Sequence, residues 1–256
     1  MELIRQSVDV WGLCPTGEIE SIKRLEKCGR ICYKSESKIT DTSCFSFIQN
    51  IINSGHTSVL EHSNLVIKGD EKDLLFLFGD KKYFRVKGRY VSANLRAWLE
   101  YFNVNSIPSI YQRVLAFGSI IEGVPDSLKR ITVKFTTSRA ITHQLVRHRV
   151  MSFLQESQRY VRYSGNIRFI VPIWLECLPD QEGMIFKASC SESEDYYNAL
   201  LSCGKTPQQA RTVLPNATAS DILVTGYLDD WKKMIKLRGA KGADPEMINL
   251  ISMVKL

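Results

Sequence analysis

The chain has 256 residues, and its content of 44% hydrophobic and 24% charged residues is ordinary for a folded, water-soluble protein. No apolar run approaches the ~18 residues of a membrane-spanning helix, and residues 1–10 lack the pattern of a signal peptide, so we expect a cytoplasmic protein without a membrane partner. The formal net charge of +7 favours anionic partners, such as phosphorylated small molecules or nucleic acid.

The first part of the chain predicts two helices and a strand. Apolar residues recur at helical spacing over residues 18–33, and again over residues 42–54 before a glycine that can end a helix. Residues 64–68 then predict a short strand. Two histidines in polar surroundings, His56 and His62, lie between the second helix and this strand.

Residues 70–129, called the middle segment below, give the weakest pattern. Ser92 is predicted to cap a helix that carries apolar residues up to Phe102. Another helix is predicted from near Pro108 to Ile121. The sequence gives no motif that assigns a role to this segment.

A strand and a capped helix are predicted next. Apolar residues alternate with polar ones over residues 130–136, which indicates a half-buried strand. Ser138 is then expected to cap a helix that extends to about Val150.

The last third of the chain predicts four helices. They begin at Ser191, with Glu194 completing a capping box; at Thr206; at Ala219, extending to Leu237; and at Asp244. With strands predicted in the first part and helices in the last, and with no repeat or linker, we expect a single α+β domain over residues 1–256.

A basic cluster lies in the helix that Ser138 is predicted to cap. Gln144, Arg147 and His148 are three and four positions apart and would share one helix face, with Arg149 beside them. The planar guanidinium of arginine binds phosphate through two parallel hydrogen bonds, so the cluster indicates an anion site. Basic residues that only complement the dipole at a helix C-terminus are the alternative.

A polar stretch follows the basic cluster at residues 155–159. Gln155, Glu156, Ser157, Gln158 and Arg159 provide two amides, a carboxylate, a hydroxyl and a guanidinium. Such a set can bind the carbonyl and imide edge of a pyrimidine while the arginine holds a phosphate. An exposed polar loop would have the same composition, so composition leaves both interpretations open.

Together these residues resemble the signature of the flavin-dependent thymidylate synthases, RHRxxSxxxxSxR. All six fixed positions are present: Arg147, His148, Arg149, Ser152, Ser157 and Arg159. Three other segments are similar to family segments: residues 55–62 to GHxS/TxxEH, residues 210–215 to ARxxLP, and Arg238 to a late arginine that contacts the uracil. The resemblance covers both ends of the chain and implies that residues 70–129 are an insertion.

The sequence departs from the family near its C-terminus. Some members carry an Asn-x-Arg pair and a later Asn that contact FAD, whereas this chain has Tyr227, Asp229 and Lys233 there. The histidine that follows the late arginine in some members is also missing, and Gly242 and Asp244 occupy that region. A flavin-binding homologue with weakened activity is therefore an alternative.

The resemblance implies an α+β fold in which an antiparallel or mixed sheet is flanked by helices, with a helical C-terminal part. It implies an enzyme that converts dUMP to dTMP, with methylenetetrahydrofolate as carbon donor and FADH2, reduced by NADPH, as hydride source. FAD is then the cofactor, and the family builds shared active sites in a homotetramer.

The resemblance also implies roles for particular residues. Arg238 would stabilise negative charge on the uracil, and Ser157 would orient dUMP, so these two are the expected catalytic residues. The expected dUMP-binding residues are Gln144, Arg147, Gln155, Glu156, Ser157, Gln158, Arg159, Arg211 and Arg238. The expected FAD-binding residues are His56, Ser58, Arg147, His148, Arg149 and Gln155.

Two other classes of protein are alternatives to this one. A nucleic-acid-binding protein would place Arg147, Arg149, Arg159 and Arg162 on phosphates, but it leaves the fixed serines and the distant matches unexplained. A metal hydrolase would need ligands among His56, His62, His143 and His148, whose spacing is poor. None of the seven cysteines forms a CxxC pair, so the sequence predicts no zinc site. With the nucleic-acid-binding class set aside on the motif, no nucleic-acid partner is expected.

Overall fold

The computed structural model describes residues 1–163, 165–175 and 180–256 and contains strands and helices along its whole length. The strands are β1 (Glu2–Ile4), β2 (Ser7–Leu13), β3 (Leu65–Lys68), β4 (Arg85–Lys87), β5 (Tyr90–Ala93), β6 (Ser119–Ile120), β7 (Arg130–Ser138), β8 (Ser152–Gln155), β9 (Arg168–Ile170) and β10 (Ala219–Tyr227). The helices are α1 (Glu18–Tyr33), α2 (Ser43–Asn53), α3 (Glu71–Phe78), α4 (Leu95–Phe102), α5 (Ile107–Val114), α6 (Arg139–Leu145), α7 (Gln181–Ser202), α8 (Pro207–Ala210), α9 (Leu228–Arg238) and α10 (Pro245–Ser252). Short 3-10 helices are formed by Glu36–Lys38, Thr57–His62, Asp126–Leu128 and Arg211–Val213. The predicted α+β class is confirmed.

The central sheet has the antiparallel order β2-β7-β10-β8. Its two middle strands, β7 and β10, pair over nine residues each and are buried along nearly their whole length. Val133 and Val224 lie opposite each other in this pair. Trp231 of α9 covers the sheet and donates a hydrogen bond from Nε1 to the carbonyl oxygen of Ile131, at 3.0 Å. The sheet thereby fixes β8, which carries part of the signature motif, at one of its edges.

A second antiparallel sheet has the order β4-β5-β3-β6 and comes mainly from the middle segment. Its aromatic core centres on Phe78, which contacts the rings of Phe84, Trp98 and Phe117. The same buried cluster includes side chains of α1 and α2, so the middle segment shares a core with the N-terminal helices. A separate parallel pair joins β1 and β9. The interpretation of residues 70–129 as an insertion within one domain stays a prediction.

Several local predictions are confirmed. The first helix spans Glu18–Tyr33, as the apolar spacing predicts. The predicted cap Ser138 accepts a hydrogen bond from the backbone N–H of Ile141, at 3.3 Å. At the last helix, the carboxylate of Asp244 accepts from the backbone N–H of Glu246, at 2.9 Å. These signals depend only on neighbours in the chain, which is why the sequence shows them.

The helix predicted from Ala219 to Leu237 is wrong over its first nine residues. Ala219–Tyr227 is the central strand β10, and the helix α9 begins only at Leu228. This strand is buried on both faces, so its apolar and polar residues do not alternate, and periodicity cannot distinguish its short apolar run 222–224 from part of a buried helix. The expectation that strands lie in the front part of the chain and helices in the last is wrong for the same reason.

The helix predicted from Ser138 to Val150 is too long. It ends at Leu145, and Arg147, His148 and Arg149 lie in a turn, so they do not share a helix face with Gln144. Met151 is buried against Gly226, where the distance from a Cβ atom to the Met151 Cε would be only 2.6 Å. The chain must therefore turn before β8 to reach this contact.

Three predicted helix ends are also wrong. Ser191 and Glu194 lie inside α7, whose cap is Asp180, and Glu194 instead accepts from the backbone N–H of Ile167 at 2.6 Å. Ser92 lies in β5, and Asn94 caps the following helix by accepting from Ala97 at 2.9 Å. The helix near Pro108 ends at Val114 rather than at Ile121. The two predicted caps are wrong because Glu194 has a tertiary partner and because the neighbouring Asn94 takes the capping position.

No helix among the described residues combines the length and the apolar character that crossing a bilayer requires.

We expect His62 to make stability depend on pH. The side chain is fully buried, and burial together with the charge of Arg130 lowers its pKa from 6.5 to about 3. Between these values the unfolded chain binds a proton that the folded chain does not, so stability falls as the pH drops below 6.5. From pH 7 to pH 5 this residue should reduce the free energy of unfolding by about 2 kcal/mol.

Urea unfolding at pH 7 and at pH 5 measures this effect. Between pH 7 and pH 5, the free energy of unfolding of His62→Gln should fall by about 2 kcal/mol less than that of the wild type. His143→Gln, at an exposed histidine, is the control and should behave as the wild type. Equal losses in wild type and His62→Gln would contradict the assignment.

Candidate functional site

The turn after α6 meets the last turn of α9. Arg238 donates from Nε to Nε2 of His148 at 2.7 Å and from Nη2 to the carbonyl oxygen of Gln144 at 3.0 Å. Burial and the charge of Arg238 lower the pKa of His148, so the imidazole is neutral at neutral pH and can accept this bond. Nε2 of Gln144 in turn donates to Asp244 at 2.6 Å. The structure therefore brings three predicted site residues together from two distant parts of the chain.

The polar loop begins at the end of β8 and is fixed there by Gln155. Its amide nitrogen donates to Oγ1 of Thr142 at 2.8 Å and to Oγ of Ser220 at 3.1 Å. These partners lie on α6 and β10, so the side chain ties the loop to the basic turn and to the central strand.

Glu156 lies beneath the loop and is only 2% exposed. Its carboxylate accepts from the Tyr163 hydroxyl at 2.8 Å and forms an ion pair with Nζ of Lys34 at 3.0 Å. The backbone N–H of Asp221 also donates to it, at 3.3 Å. Both oxygens of the predicted dUMP ligand Glu156 are therefore engaged by protein groups.

Asp221 of β10 is the second buried carboxylate of this cluster. It pairs with Lys34 and with Arg168, the latter at 3.3 Å, and accepts from Oγ1 of Thr136 at 2.6 Å. Burial alone would raise its pKa, but Lys34 and the hydrogen bond from Thr136 lower the pKa to about 2. Asp221 is thus ionised at neutral pH, and the opposite charge comes from Lys34, Arg168 and Lys134, the last at 3.9 Å from Asp221.

The end of the loop carries Ser157, Gln158 and Arg159. The Ser157 N–H donates to the carbonyl oxygen of Cys32 at 3.1 Å, and its hydroxyl accepts from the Arg159 N–H at 3.3 Å. Gln158 is buried, and its amide nitrogen has no hydrogen-bond partner among the described residues. Arg159 is exposed and donates to Gln208 of α8 at 2.9 Å.

Arg211 follows α8 directly and is half-buried. Burial lowers the pKa of Arg139, and the nearby charge of Arg211 lowers it further. The contact between Arg159 and α8 therefore brings the loop next to Arg211 and Arg139. This concentration of guanidiniums suits a phosphate.

The predicted flavin-binding residues lie at several places on the chain. His56 begins the 3-10 helix Thr57–His62, and its Nδ1 lies 3.1 Å from the hydroxyl of Tyr33. The ring of Tyr33 packs at 6.1 Å from that of Tyr160, so His56 sits near the polar loop. Ser58 is exposed in the same 3-10 helix, and Arg147 is exposed in the basic turn.

Arg149 lines a cavity of about 490 Å³. Arg130 lines it too, although it is buried and donates to the carbonyl oxygens of Glu61 and Ser63 at 3.0 and 2.7 Å. It also donates to Oγ of the motif residue Ser152, at 3.0 Å. Arg130 therefore connects the motif to the segment that contains His56 and His62.

Sequence reasoning missed Lys34, Asp221 and Arg130. A buried carboxylate such as Glu156 requires a cation, but the sequence does not show which residue provides it. A charged residue at the start of a strand, such as Arg130, is normally exposed, so the sequence does not show that this side chain is buried. Only the packing of the strands reveals these contacts.

Within residues 1–163, 165–175 and 180–256, no three His, Cys, Asp or Glu side chains are grouped so that they could hold a metal ion. The metal-hydrolase interpretation therefore gains no support from the structure.

The fold and the site define an α+β protein whose arginines gather around a polar loop, as a protein for phosphorylated ligands would require. The family model described as "Thymidylate synthase complementing protein" matches residues 127–255, just over half of the chain. The chain belongs to this family.

Curated relatives agree with this family. The flavin-dependent thymidylate synthase of Mycobacterium marinum is 39% identical over 127 residues, which cover 44% of this chain and 50% of the relative. That of Mycobacterium avium is 27% identical over 242 residues, which cover 88% of this chain and 70% of the relative. The chain thus spans about half the length of the first curated relatives it matches.

Among solved structures, the UMP/dUMP methylase PolB from Streptomyces cacaoi, bound with 5-Br UMP, aligns with a TM-score of 0.48 and 16% identity. The alignment covers 98% of this chain and 88% of that one.

We expect Lys34 to be required for the stability of the polar loop. Lys34→Met removes the nearer of the two cations that pair with both buried acids, Glu156 and Asp221, which should lower the free energy of unfolding by about 2–4 kcal/mol. Urea unfolding at pH 7 measures the change. Lys38→Met, at an exposed lysine nearby, is the control and should change stability by less than about 0.5 kcal/mol. An effect of Lys34→Met as small as that of the control would contradict this role.

Proposed function

We propose that this chain is a flavin-dependent thymidylate synthase that converts dUMP to dTMP. Methylenetetrahydrofolate would be the carbon donor, FAD the cofactor and NADPH the reductant of the flavin. The observation that carries the proposal is the contact between Arg238 and the motif turn, since it joins the late arginine to His148 and Gln144. Membership of the family supports the same reaction.

Arg238 is proposed to stabilise negative charge on the uracil of dUMP. Its guanidinium is held in place by the neutral imidazole of His148 and by the Gln144 carbonyl oxygen. A cation that is oriented before the reaction stabilises developing charge without reorganisation. Arg147 and Gln144 would complete this side of the nucleotide pocket.

The polar loop is proposed to bind the rest of dUMP. Arg159 and Arg211 would hold the phosphate, because they lie on either side of the contact between the loop and α8. Ser157 would orient the nucleotide, with Gln155 and Gln158 beside it. Glu156 would act by fixing the loop, because its carboxylate is bonded to Lys34 and Tyr163.

The residues present fit an anionic flavin. Arg149 and Arg130 line the same cavity of about 490 Å³, and guanidiniums suit a pyrophosphate. His56, Ser58, Arg147, His148, Arg149 and Gln155 are the proposed contacts. When reduced, the bound flavin would supply the hydride that completes the methyl group. The residues of the chain would orient it and hold its phosphates.

A homotetramer is proposed, because exposed apolar side chains on and near α7 are suited to contacts between copies. Met184, Ile185 and Tyr196 are each exposed by about 60%, and Trp174 by 63%. Large exposed apolar side chains are the kind of surface that association between copies would bury. Shared active sites would also explain why the proposed flavin contacts lie at several places on one chain. A cytoplasmic location is proposed along with this assignment.

We expect Arg238→Ala to lower turnover by a factor of ~10² or more while flavin stays bound, because it removes the charge that acts on the uracil. NADPH oxidation with dUMP and methylenetetrahydrofolate, followed by detection of dTMP, measures turnover. Absorbance near ~450 nm, a general property of flavins, measures the cofactor. Lys236→Ala, at an exposed position of the same helix, is the control. Turnover of Arg238→Ala close to that of the control would remove its assigned role.

We expect Ser157→Ala to raise the KM for dUMP about tenfold, because one hydrogen bond to a charged or polar ligand is lost. The flavin content should not change. Ser189→Ala, at an exposed serine of α7, should leave both quantities unaltered. Complete loss of FAD from Ser157→Ala would contradict the assignment of this residue to the dUMP site. A colourless wild-type protein that binds DNA in a salt-dependent manner would overturn the whole proposal.

A further inference from the structure

The cavity at Arg149 has a wall that the family motif does not provide. Sixteen residues line it, and eight of them belong to the middle segment. These are Lys82, Tyr83, Phe84, Arg85, Asn94, Arg96, Ala97 and Glu100. The motif turn and its neighbours line the same cavity through Arg149 to Ser152. The middle segment therefore shares with the motif a space of about 490 Å³, which is a usual size for a small-molecule site.

Arg85 is a cation of this wall whose guanidinium is held by three groups. Its guanidinium carbon lies 3.7 Å from the centre of the Tyr227 ring. Nη2 forms an ion pair with Asp230 at 3.0 Å, and Nη1 donates to the carbonyl oxygen of Ser127 at 3.2 Å. Stacking and pairing together fix the orientation of the planar fork, so that little freedom is left to lose when a ligand binds.

The cavity has more cations than acids to pair with them. The acids Glu61 and Glu100 pair with Arg96 at 2.7 and 2.8 Å, and Asp230 pairs with Arg85. In the described part of the chain, Arg130 and Arg149 line the cavity without an ion-pair partner. Arg130 is only 4% exposed, and its Nε has no hydrogen-bond partner there. A buried guanidinium without a carboxylate is unfavourable unless an anion joins it.

Aromatic side chains border the same space. Tyr227 lies between Arg85 at 3.7 Å and Arg130 at 5.4 Å, measured from each guanidinium carbon to the ring centre. Tyr83 and Phe84 lie on the wall formed by the middle segment. Cations next to aromatic rings suit a ligand that has both phosphates and a planar ring system.

We propose that the middle segment completes a binding site for the nucleoside diphosphate part of a dinucleotide, with Arg85 and Lys82 contributing to its phosphate contacts opposite Arg149. FAD and NADPH share this chemical group, and the inference rests on the proposed function, which uses both. Arg85 thus supplies positive charge at Tyr227, one of the positions at which the chain departs from other family members.

Binding of FAD and of NADPH to purified full-length variants tests the proposal. Flavin fluorescence quenching gives the dissociation constant for FAD, and nicotinamide fluorescence gives that for NADPH. Arg85→Ala should raise at least one of them about tenfold or more, because a charge-assisted contact is lost. Arg85→Lys should raise it less, because the charge stays and the planar fork is lost. Which constant changes identifies the dinucleotide.

Lys87→Ala is the matched control, since it removes an exposed cation from the same strand at a position outside this cavity. It should bind both dinucleotides within about twofold of the wild type. Calorimetric binding of dUMP should be unchanged in all variants, which a general structural defect would not allow. Lys82→Ala provides a second test if Arg85→Ala folds poorly, because Lys82 is exposed, and it should weaken binding severalfold.

The outcomes separate this inference from the proposed function. If Arg85→Ala and Lys82→Ala bind both dinucleotides as tightly as Lys87→Ala, the inference is overturned, even when the wild type forms dTMP. If the wild type binds a dinucleotide through Arg85 but forms no dTMP, the inference stands and the proposed function fails. If the wild type binds neither dinucleotide, both are overturned.

Discussion

The site depends on two buried carboxylates that share one lysine. Glu156 and Asp221 lie out of contact with water and are held by Lys34 and Arg168. Acids in such surroundings require cations, so the end of α1, the central strand β10 and the polar loop must assemble together. Lys34 adopts a left-handed backbone conformation, with φ of 48°, directly after α1. The position of the loop is therefore set by a residue more than a hundred positions earlier in the chain.

The basic turn obeys a related constraint. A helix that continued to Val150 would point the consecutive side chains of Arg147, His148 and Arg149 in directions about 100° apart. Because α6 ends at Leu145, the two arginines are exposed in a turn and the histidine faces Arg238. Burial and the adjacent guanidinium keep this histidine neutral. The site thereby holds an arginine next to an imidazole without placing two charges in contact.

Much of the fold and part of the site could be predicted from sequence. The rest could not, because it depends on tertiary packing rather than on neighbouring residues. The cap at Ser138 and the extent of α1 depend on neighbouring residues, so local patterns show them. The strand β10 could not be recognised, because burial on both faces removes the alternation that marks a strand. The motif indicated Arg147 to Arg159 as a unit, but only tertiary packing shows that Lys34 and Arg130 support it.

Tyr227, at the end of β10, is tied to the middle segment by its aromatic ring. A tyrosine at position 227 offers a ring face, which attracts a cation but cannot itself bind a phosphate through several hydrogen bonds. Arg85 of the middle segment stacks on that ring face and pairs with Asp230, which follows Tyr227 by three residues. The second sheet and the end of β10 are therefore parts of one electrostatic arrangement, in which the middle segment supplies the cation that stacks on Tyr227 and pairs with Asp230.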